Sequence, residues 1–229
     1  MASFLKDITR FYGTGEKNEA GQTLEEFLDA YDPHKYQTPS CTTDAVIFSY
    51  RGKLDADMRG LKVLLIKRGN HPSIGTWALP GGFVNMKENL EDTARRELEE
   101  ETGVSGLLME QIGAYGDYDR DPRTRVITTA YMSLVEEDRV KVQAGDDAAD
   151  AAWCEVSLTE LADKKWKLSV CNGAKQIKTE AVVREYCTEG LIREQKFAVK
   201  EPGLLASDHA AIIVHALTIL KNRLQNILE

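Results

Sequence analysis

The apolar residues of this chain repeat with two different periods, one typical of strands and the other of helices. Runs of leucine and β-branched residues over residues 44–50 and 62–68 predict two strands that form a hairpin with a long polar loop. Beyond them, Leu90, Ala94 and Leu98 recur every four residues, which marks the buried face of a helix. Strands and a helix of this kind in one chain indicate an α/β protein.

The helix is expected from about residue 89 to residue 102, and Gly103 supplies its C-terminal stop. After it, residues 107–115 and 125–135 predict two more strands. The second of these has apolar or small residues on both faces, which is typical of a central strand covered on both sides. The central sheet is therefore expected to carry helices on both faces.

The last third of the chain predicts a short helix, further strands and a long helix. Ser157 and Glu160 have the spacing of a capping box, which predicts a helix over residues 158–163. Residues 166–200 are expected to form strands. Two turns are predicted among them, at Asn172-Gly173 and at Glu189-Gly190.

Both ends of the chain predict helices. Residues 23–31 (TLEEFLDAY) predict a short helix that stops before Pro33. Asp208 is placed to cap a final helix that reaches about residue 228. The apolar stripe of that helix has a spacing that would also suit a coiled-coil seam. We favour packing on the sheet of the same subunit for its members, Ile213, Leu217, Leu220, Leu224 and Ile227.

These elements predict an N-terminal helical extension over residues 1–40 and one large domain over residues 41–229. The domain is expected to have a core at residues 41–160, with C-terminal strands and a long helix at residues 165–229. Mixed strands with helices on both faces favour an α/β/α sandwich. A chain of 229 residues is long enough to bury a core of this size.

Composition and charge exclude several classes of protein. The net charge of −8 argues against a non-specific nucleic-acid binder, which needs a basic surface to displace counterions from phosphate. No run approaches the ~18 apolar residues of a membrane span, and no apolar signal segment begins the chain, so a soluble cytoplasmic protein is expected. Free structural thiols are expected rather than a zinc site or a disulfide framework at Cys41, Cys154, Cys171 and Cys187, because no CxxC pair occurs.

Candidate chemistry concentrates on the predicted helix, in the sequence ARRELEEETG. At 100° per residue, Glu97 and Glu101 are about 40° apart and Glu100 is about 60° to the other side, whereas Glu99 points away. Carboxylates this close destabilise a helix by about 0.2–0.5 kcal/mol for each i,i+4 pair. A solvated acidic face would explain a bare run of glutamates, so the neighbouring residues decide between a surface and a site.

Three neighbouring features favour a site. Glu88 lies at the helix entrance, where its carboxylate could reach the same cluster. Arg96 can orient or neutralise an adjacent glutamate. Gly81 and Gly82 let the backbone come close to a ligand or present a carbonyl to a cation. Hard oxygen ligands of this kind suit Mg²⁺ or Mn²⁺ bridging phosphate oxygens.

The full pattern resembles the Nudix box at every defined position: Gly82-x5-Glu88-x7-Arg96-Glu97-Leu98-x-Glu100-Glu101-x-Gly103-Val104. The resemblance implies a Nudix hydrolase with an α/β/α sandwich and a mixed central sheet. It also implies attack of water on a phosphorus of a nucleoside diphosphate that is linked to another moiety. The strands, the Trp77–Gly82 segment and the box extend this resemblance over roughly residues 41–160.

The resemblance further implies a role for each box residue. Divalent-cation ligands are implied at Glu97, Glu100, Glu101 and the carbonyl of Gly82. The arginine matching Arg96 holds the helix glutamates in place, and the carboxylate matching Glu88 assists. Glu97 or Glu101 is the first expectation for the group that activates water. An acid from a more distant loop stays open as the base, with candidates at Asp119, Asp121 and Glu137.

The expected substrate depends on segments outside the box. Residues 116–123 (GDYDRDPR) resemble the GD-x-x-RDPR stretch of the Nudix branch that contains ADP-ribose pyrophosphatases and Nudix-related regulators of NAD metabolism. Residues 31–39 and Ser207-Asp208-His209 fit the same branch. Many ADP-ribose enzymes carry a proline where this chain has Arg120. The resemblance implies hydrolysis of ADP-ribose to AMP and ribose 5-phosphate.

Arginine's forked donors suit phosphate and ribose oxygens, although Asp–Arg pairs within the loop would explain these arginines equally well. The candidate substrate-binding residues are Arg68, Tyr118, Arg120, Arg123, Arg125 and His209, with Trp77 and His71 as further candidates.

Two alternative functions stay open. The same machinery would suit a hydrolase of nucleoside triphosphates or dinucleotide polyphosphates. A catalytically weak, ADP-ribose-sensing regulator is the other alternative. Regulators of this branch carry a winged helix after the helix that Asp208 opens, and we expect none before Glu229, which favours an enzyme. A homodimer is expected from the resemblance and the terminal helices.

Overall fold

The structure is a computed structural model that describes residues 4–140, 142, 148–188, 190–192 and 194–228. The chain divides into two compact units, Met1–Thr38 and Pro39–Glu229. In the first unit, helix α1 (Leu24–Ala30) begins at a capping box, in which Thr23 and Glu26 each accept a hydrogen bond from the other's backbone amide. The helix predicted over residues 23–31 is therefore present.

In the described part of the second unit, ten strands form one mixed sheet. The strands are β1 (Ser40–Tyr50), β2 (Lys62–Arg68), β3 (Trp77–Ala78), β4 (Gly81–Phe83), β5 (Glu110–Tyr115), β6 (Val126–Glu136), β7 (Ala148–Leu161), β8 (Lys165–Asn172), β9 (Ile177–Cys187) and β10 (Gln195–Glu201). Their order is β10-β9-β8-β7-β2-β1-β6-β5, with β3 paired to β2 and β4 paired to β1. β1 and β6 run parallel, which makes the sheet mixed as predicted.

Alternate residues of β1 face two separate cores. Val46 and Phe48 belong to the core around helix α3 (His209–Leu228), whereas Ala45 and Ile47 belong to the core beneath helix α2 (Leu90–Thr102). All four side chains are buried, and burial of a large apolar side chain contributes roughly 1.5–3 kcal/mol. The predicted α/β/α sandwich is confirmed, because each face of the sheet carries a helix.

The structure confirms most predicted elements near the box and shifts a few boundaries. α2 ends at Thr102 and is capped by Gly103, which adopts the left-handed conformation with φ of 70°. β2 has the predicted bounds, and β6 is buried along most of its length, as expected for a central strand. β1 begins four residues earlier than predicted, at Ser40, because its first residues pair with β6 from Val126 onward.

The helix predicted over residues 158–163 is wrong. Residues up to Leu161 continue β7, which pairs with β8 as far as Leu161 opposite Lys165. Val156 is buried and Leu158 is half-buried against the α3 core, whereas Ser157 between them faces outward. This alternation and the full ladder of backbone hydrogen bonds outweigh the local capping pattern.

The strands predicted between residues 166 and 200 are β8, β9 and β10. The first predicted turn is present, since residues 173–176 connect β8 to β9. Of the second predicted turn, Glu189 lies outside the described residues. Ile213, Leu217 and Leu220 are buried in the α3 core, so the first part of this helix packs on its own sheet as favoured. Leu224 is half-buried and Ile227 is 79% exposed.

The two ends of the strand order approach each other around α3. Nζ of Lys196 on β10 lies 2.7 Å from Oδ1 of Asp117, which follows β5. Arg223 on α3 donates two hydrogen bonds of 2.6 and 2.7 Å to Glu110 on β5. The sheet is therefore curled, and its two edge strands face a common space.

All four cysteines are free thiols: Cys154 is buried, whereas Cys41, Cys171 and Cys187 are exposed. Among the described residues, no helix has the length and apolarity needed to span a membrane.

Candidate functional site

Two glycines of β4 lie between β1 and helix α2, which carries the box glutamates. Gly81 and Gly82 pair with Asp44 and Thr43 on β1. Gly81 has φ of 158°, and a Cβ there would overlap the carbonyl oxygen of Thr43. A Cβ on Gly82 would overlap the carboxylate of Glu97. Both positions require glycine, because the space that a side chain would need is occupied by backbone or by a box carboxylate.

Glu101 lies against the same backbone and is mostly buried. Its Oε2 accepts a hydrogen bond of 2.8 Å from the amide of Gly81. Burial, together with the nearby charges of Glu97 and Asp44, raises the pKa of Glu101 to about 8 against the opposing effects of the Gly81 amide and Arg68. Without a cation, the site therefore favours the protonated, neutral form of Glu101.

Arg96 binds three of the box carboxylates at once. Its Nε and Nη2 donate to the two oxygens of Glu88 at 2.8 and 3.0 Å. Its Nη1 donates to Glu97 at 2.7 Å and to Glu100 at 2.9 Å. The forked pairing with Arg96 lowers the pKa of Glu88 to about 2, and Thr93 contributes another hydrogen bond. Arg96 thus holds these three carboxylates by hydrogen bonds, and its role in catalysis stays a prediction.

The donor set fits a hard divalent cation. Glu97 and Glu101 bring carboxylate oxygens to Gly81 and Gly82, and the buried pKa-shifted carboxyl of Glu101 is the kind of group that a cation stabilises in its charged form. Among the described residues, no three acidic, histidine or cysteine side chains converge as a preformed cation cage. The side chain of Glu100 is 59% exposed and forms an ion pair with Arg96. It would have to break this pair to bind a cation in the site.

A cavity of about 1130 Å³ opens beside these carboxylates. The predicted residues that line it are Glu101, Gly82, Arg68, Asp119, Arg120, Asp121, Arg123 and His209. Four other candidates lie elsewhere. Tyr118 is 81% exposed and Arg125 is exposed, both outside the cavity lining, and Trp77 is packed in the α3 core. His71 is exposed beside the cavity-lining Pro72.

Two arginines of the loop at residues 116–125, Arg120 and Arg123, are held in Asp–Arg pairs. Arg120 is 7% exposed and donates to both oxygens of Asp208 at 2.9 and 2.8 Å. Arg123 donates to Asp121 at 3.1 and 2.8 Å, and this pairing lowers the pKa of Asp121. Such Asp–Arg pairs are the alternative to substrate binding that the sequence left open for these arginines. Contacts of either arginine with a substrate stay a prediction.

Asp44 and His209 form the floor between the loop and the glycines. The amide of Leu79 donates a hydrogen bond of 2.8 Å to Nδ1 of His209, so the ring proton lies on Nε2. Nε2 of His209 is 3.7 Å from Asp44, whose other oxygen accepts a hydrogen bond of 2.7 Å from Thr128. Sequence reasoning missed Asp44. The available signal was a carboxylate within an otherwise apolar strand, because a buried charge needs hydrogen-bonding or charged partners.

Glu137, one of the candidate bases, lies far from the glycines. Glu137 directly follows β6, whose last residue pairs with Tyr50 on β1. The glycines pair with β1 near Thr43, seven residues before Tyr50. At ~3.3 Å per residue, this separation is about 23 Å. Its carboxylate binds Lys62 at 2.8 Å and Arg51 at 3.1 Å. Asp119 and Asp121 do line the cavity and are better placed for such a role.

Comparisons with known proteins agree with this geometry. A family model described as NUDIX domain matches residues 19–170. The ADP-ribose pyrophosphatase of Methanocaldococcus jannaschii is 43% identical over 102 residues, which are 44% of this chain and 59% of that protein. The ADPR responsive transcriptional repressor NtrR of Acinetobacter baylyi is 39% identical over 113 residues, which are 48% of this chain and 43% of that protein. The chain spans about half the length of these curated relatives.

Solved structures with the same fold cover most of the chain. A MutT/nudix family protein from Enterococcus faecalis superposes with a TM-score of 0.62 at 32% identity, over 88% of this chain and 70% of that chain. The NUDIX domain of Shewanella oneidensis NrtR, solved with ADP ribose, gives a TM-score of 0.58 at 29% identity, over 87% of this chain and 99% of that chain. With a matching family model over well more than half of its length, the chain belongs to the NUDIX domain family.

Proposed function

We propose that this protein is a Nudix hydrolase that cleaves ADP-ribose into AMP and ribose 5-phosphate with the help of Mg²⁺ or Mn²⁺. The observation that carries the proposal is that Gly81, Gly82 and Glu101 line the large cavity, with the carboxylate of Glu97 against Gly82 directly behind them. Oxygen donors of this kind bind cations that in turn bridge phosphate oxygens. A diphosphate in the cavity would reach them.

The side chains of the site divide the chemistry. Water adds to one phosphorus, the bond from that phosphorus to the bridging oxygen breaks, and a carboxylate accepts the proton that water loses. We assign that transfer to Glu97 or Glu101, which are held by Arg96 and by the amide of Gly81, respectively. A divalent cation, when bound, neutralises the negative charge that develops on the phosphate oxygens.

The choice of ADP-ribose rests on the relatives and on the cavity. One curated relative is an ADP-ribose pyrophosphatase, and one structural neighbour was solved with ADP ribose. A cavity of about 1130 Å³ is large enough for a dinucleotide-sized ligand. Arg68 lines it and donates to the carbonyl of Pro72 through Nε, which leaves the rest of its guanidinium for an anionic ligand.

A second candidate function is ADP-ribose sensing without appreciable turnover. The likeness to a transcriptional repressor and to the NUDIX domain of NrtR favours it. The complete set of box carboxylates in this chain favours the enzyme instead, because a sensor has no need for both Glu97 and Glu101 at the glycines.

A substrate panel tests the proposal. The full chain is assayed with Mg²⁺ or Mn²⁺ against ADP-ribose, NADH, nucleotide sugars, dinucleotide polyphosphates and nucleoside triphosphates. We expect AMP release to be fastest from ADP-ribose. Preferred turnover of triphosphates or dinucleotide polyphosphates would refute the substrate assignment. Tight binding of ADP-ribose without turnover would support the sensor.

A further inference from the structure

The cavity has a second end, far from the box carboxylates, in the space between the two edge strands. We call this end the edge compartment and define it by six lining residues: Ile112, Gly113, Tyr115, Phe197, Val199 and His215. β5 contributes the first three, β10 the next two and α3 the last. Building on the proposed function, we propose that the edge compartment binds the nucleobase of the substrate.

His215 interrupts the buried, apolar first half of α3. From Ala210 to Leu217 the residues of α3 are buried and apolar apart from His215, which is half-exposed and lines the cavity. The ring of His215 stacks on Phe197, with centroids 5.0 Å apart and an angle of 28°. A purely structural position would suit another aliphatic residue. The side chain that is present offers an aromatic face and a polar edge to the cavity.

The hydrogen bonding of His215 leaves one ring nitrogen available. Nδ1 lies 2.7 Å from the hydroxyl of Tyr115. Among the described residues, Nε2 of His215 has no hydrogen-bond partner. Burial lowers the pKa of His215, which keeps the ring neutral at neutral pH. A neutral ring with a free nitrogen suits a hydrogen-bonding heterocycle better than a phosphate, which needs positive charge.

The edge strands add backbone groups to the same compartment. β5 pairs with β6 and β10 pairs with β9, and neither has a second neighbour among the described residues. Backbone donors and acceptors on their outer sides can therefore face a ligand. The pairing of β5 shifts register between Gln111 and Gly113, which breaks the regular ladder at Ile112. A nucleobase has both an apolar face for the rings and a polar edge for such groups.

The spacing across the sheet fits a nucleotide laid from the box to the edge compartment. Phe83 pairs with Thr42, Thr42 with Thr128, and Thr128 with Tyr115. Three strand spacings of ~4.8 Å give about 14 Å from the glycine segment to Tyr115. This span accommodates the ribose and phosphate that separate a base from the bond to be cleaved.

The charges around the edge compartment disfavour a phosphate there. Asp117, Asp119 and Asp208 line the adjoining part of the cavity. The ammonium of Lys196 is paired with Asp117 at 2.7 Å, and Arg120 is paired with Asp208. The neutral base is therefore the part of the substrate that fits this end, and the diphosphate belongs at the other.

The test measures binding of the two reaction products separately, so that it does not depend on turnover. Dissociation constants for AMP and for ribose 5-phosphate are measured by calorimetry on the full chain with Mg²⁺. In His215→Leu and in Gly113→Val, whose added side chain would narrow the compartment, AMP binding should weaken about tenfold, within the range of one base–aromatic contact. Ribose 5-phosphate binding should stay within about twofold of the wild type.

One control variant and three contrary outcomes complete the experiment. His34→Leu, an exposed histidine in the first unit, serves as the matched control and should leave both affinities unchanged. Weaker binding of ribose 5-phosphate with unchanged AMP binding would overturn the proposal in favour of the sugar end, and unchanged binding of both would overturn it altogether. Absence of ADP-ribose turnover in the wild type would refute the proposed function, without bearing on AMP binding. Because Gly113→Val removes no hydrogen bond, it keeps the test valid if His215→Leu fails to fold.

Discussion

The backbone amide of Leu79 and the imidazole of His209 are joined by a buried hydrogen bond of 2.8 Å, although 130 residues separate them in the chain. Leu79 is followed by Pro80, Gly81 and Gly82, so the start of α3 holds the backbone segment against which Glu97 and Glu101 lie. His209 lines the cavity, and we infer that it acts mainly by positioning this segment.

Replacement of His209 by alanine is therefore expected to reduce both stability and the affinity for the divalent cation. A buried amide without a partner costs about 1–3 kcal/mol, which urea unfolding of the metal-free protein would measure. His209→Asn offers a carbonyl oxygen as acceptor and should recover part of the loss. Unchanged cation affinity in His209→Ala, measured with Mn²⁺, would show that the glycine segment does not depend on this bond.

Substitutions of the box glutamates are expected to reduce turnover, whereas a substitution of Glu99, which lies exposed on the same helix, is not. Glu100→Gln and Glu101→Gln should each lower kcat for ADP-ribose by orders of magnitude at saturating Mg²⁺, while thermal unfolding shows a folded protein. Glu99→Gln is the matched control and should retain near-normal turnover. Near-normal rates in Glu100→Gln or Glu101→Gln would remove that residue from the ligand assignment.

The stability of the metal-free protein should depend on pH through Glu101. Its folded-state pKa is raised from 4.5 to about 8, so the native state holds a proton that the unfolded chain releases. Stability from this group is fully present below pH 4.5 and is lost as pH rises through 8. The slope between these values approaches about 1.4 kcal/mol per pH unit.

Chemical denaturation at several pH values measures this slope. Glu101→Gln, which cannot ionise, should flatten it, and Mg²⁺ should stabilise the wild type more at pH 8.5 than at pH 6. An equal slope in wild type and variant would contradict the raised pKa.

The two arginine pairs of the cavity loop should contribute unequally. Arg120 is 7% exposed and lies between Asp208 and Asp44, whereas the side chain of Arg123 is 46% exposed. Removing Arg120 leaves the half-buried Asp208 without its ion pair and takes a positive charge away from the buried Asp44, so Arg120→Met should destabilise the fold by up to about 3–5 kcal/mol. Arg123→Met should change stability by less than about 1 kcal/mol. Equal losses in the two variants would contradict this assignment.

Alanine substitutions of Gly82 and Gly116 are expected to differ in their effect on cation binding, because Gly82 lies against Glu97. A Cβ at Gly82 would overlap the Glu97 carboxylate, whereas a Cβ at Gly116 would meet Ile127 only at 3.8 Å, an ordinary contact. Gly82→Ala should therefore weaken Mn²⁺ binding at least about tenfold, a difference of about 1.4 kcal/mol. Gly116→Ala should leave Mn²⁺ binding unchanged. Comparable cation binding in both variants would show that Glu97 moves freely away from Gly82.

Local patterns were sufficient to predict the box and the sheet around it. The four-residue period of Leu90, Ala94 and Leu98, and the fixed gaps to Gly82 and Glu88, are properties of one short segment. Arg96 contacts residues at most 13 positions away, so its role was also within reach of the sequence.

Features that depend on distant partners could not be predicted in the same way. The partner of Arg120 is Asp208, 88 residues further on, and the hydroxyl that binds Asp44 belongs to Thr128, 84 residues away. The error at residues 158–163 has the same origin. Ser157 and Glu160 carry a capping pattern, and only the pairing of β7 with β8 decides that they lie in a strand.

The curl that brings β5 and β10 to a common cavity also bears on the behaviour of the protein at high concentration. In a flat sheet, each edge strand would offer an open row of backbone groups on which another chain can add a strand and start aggregation. Here both rows face each other over α3, with Asp117 and Lys196 joined across the gap. The shape that makes a ligand site thus also shields the sheet from growing by strand addition.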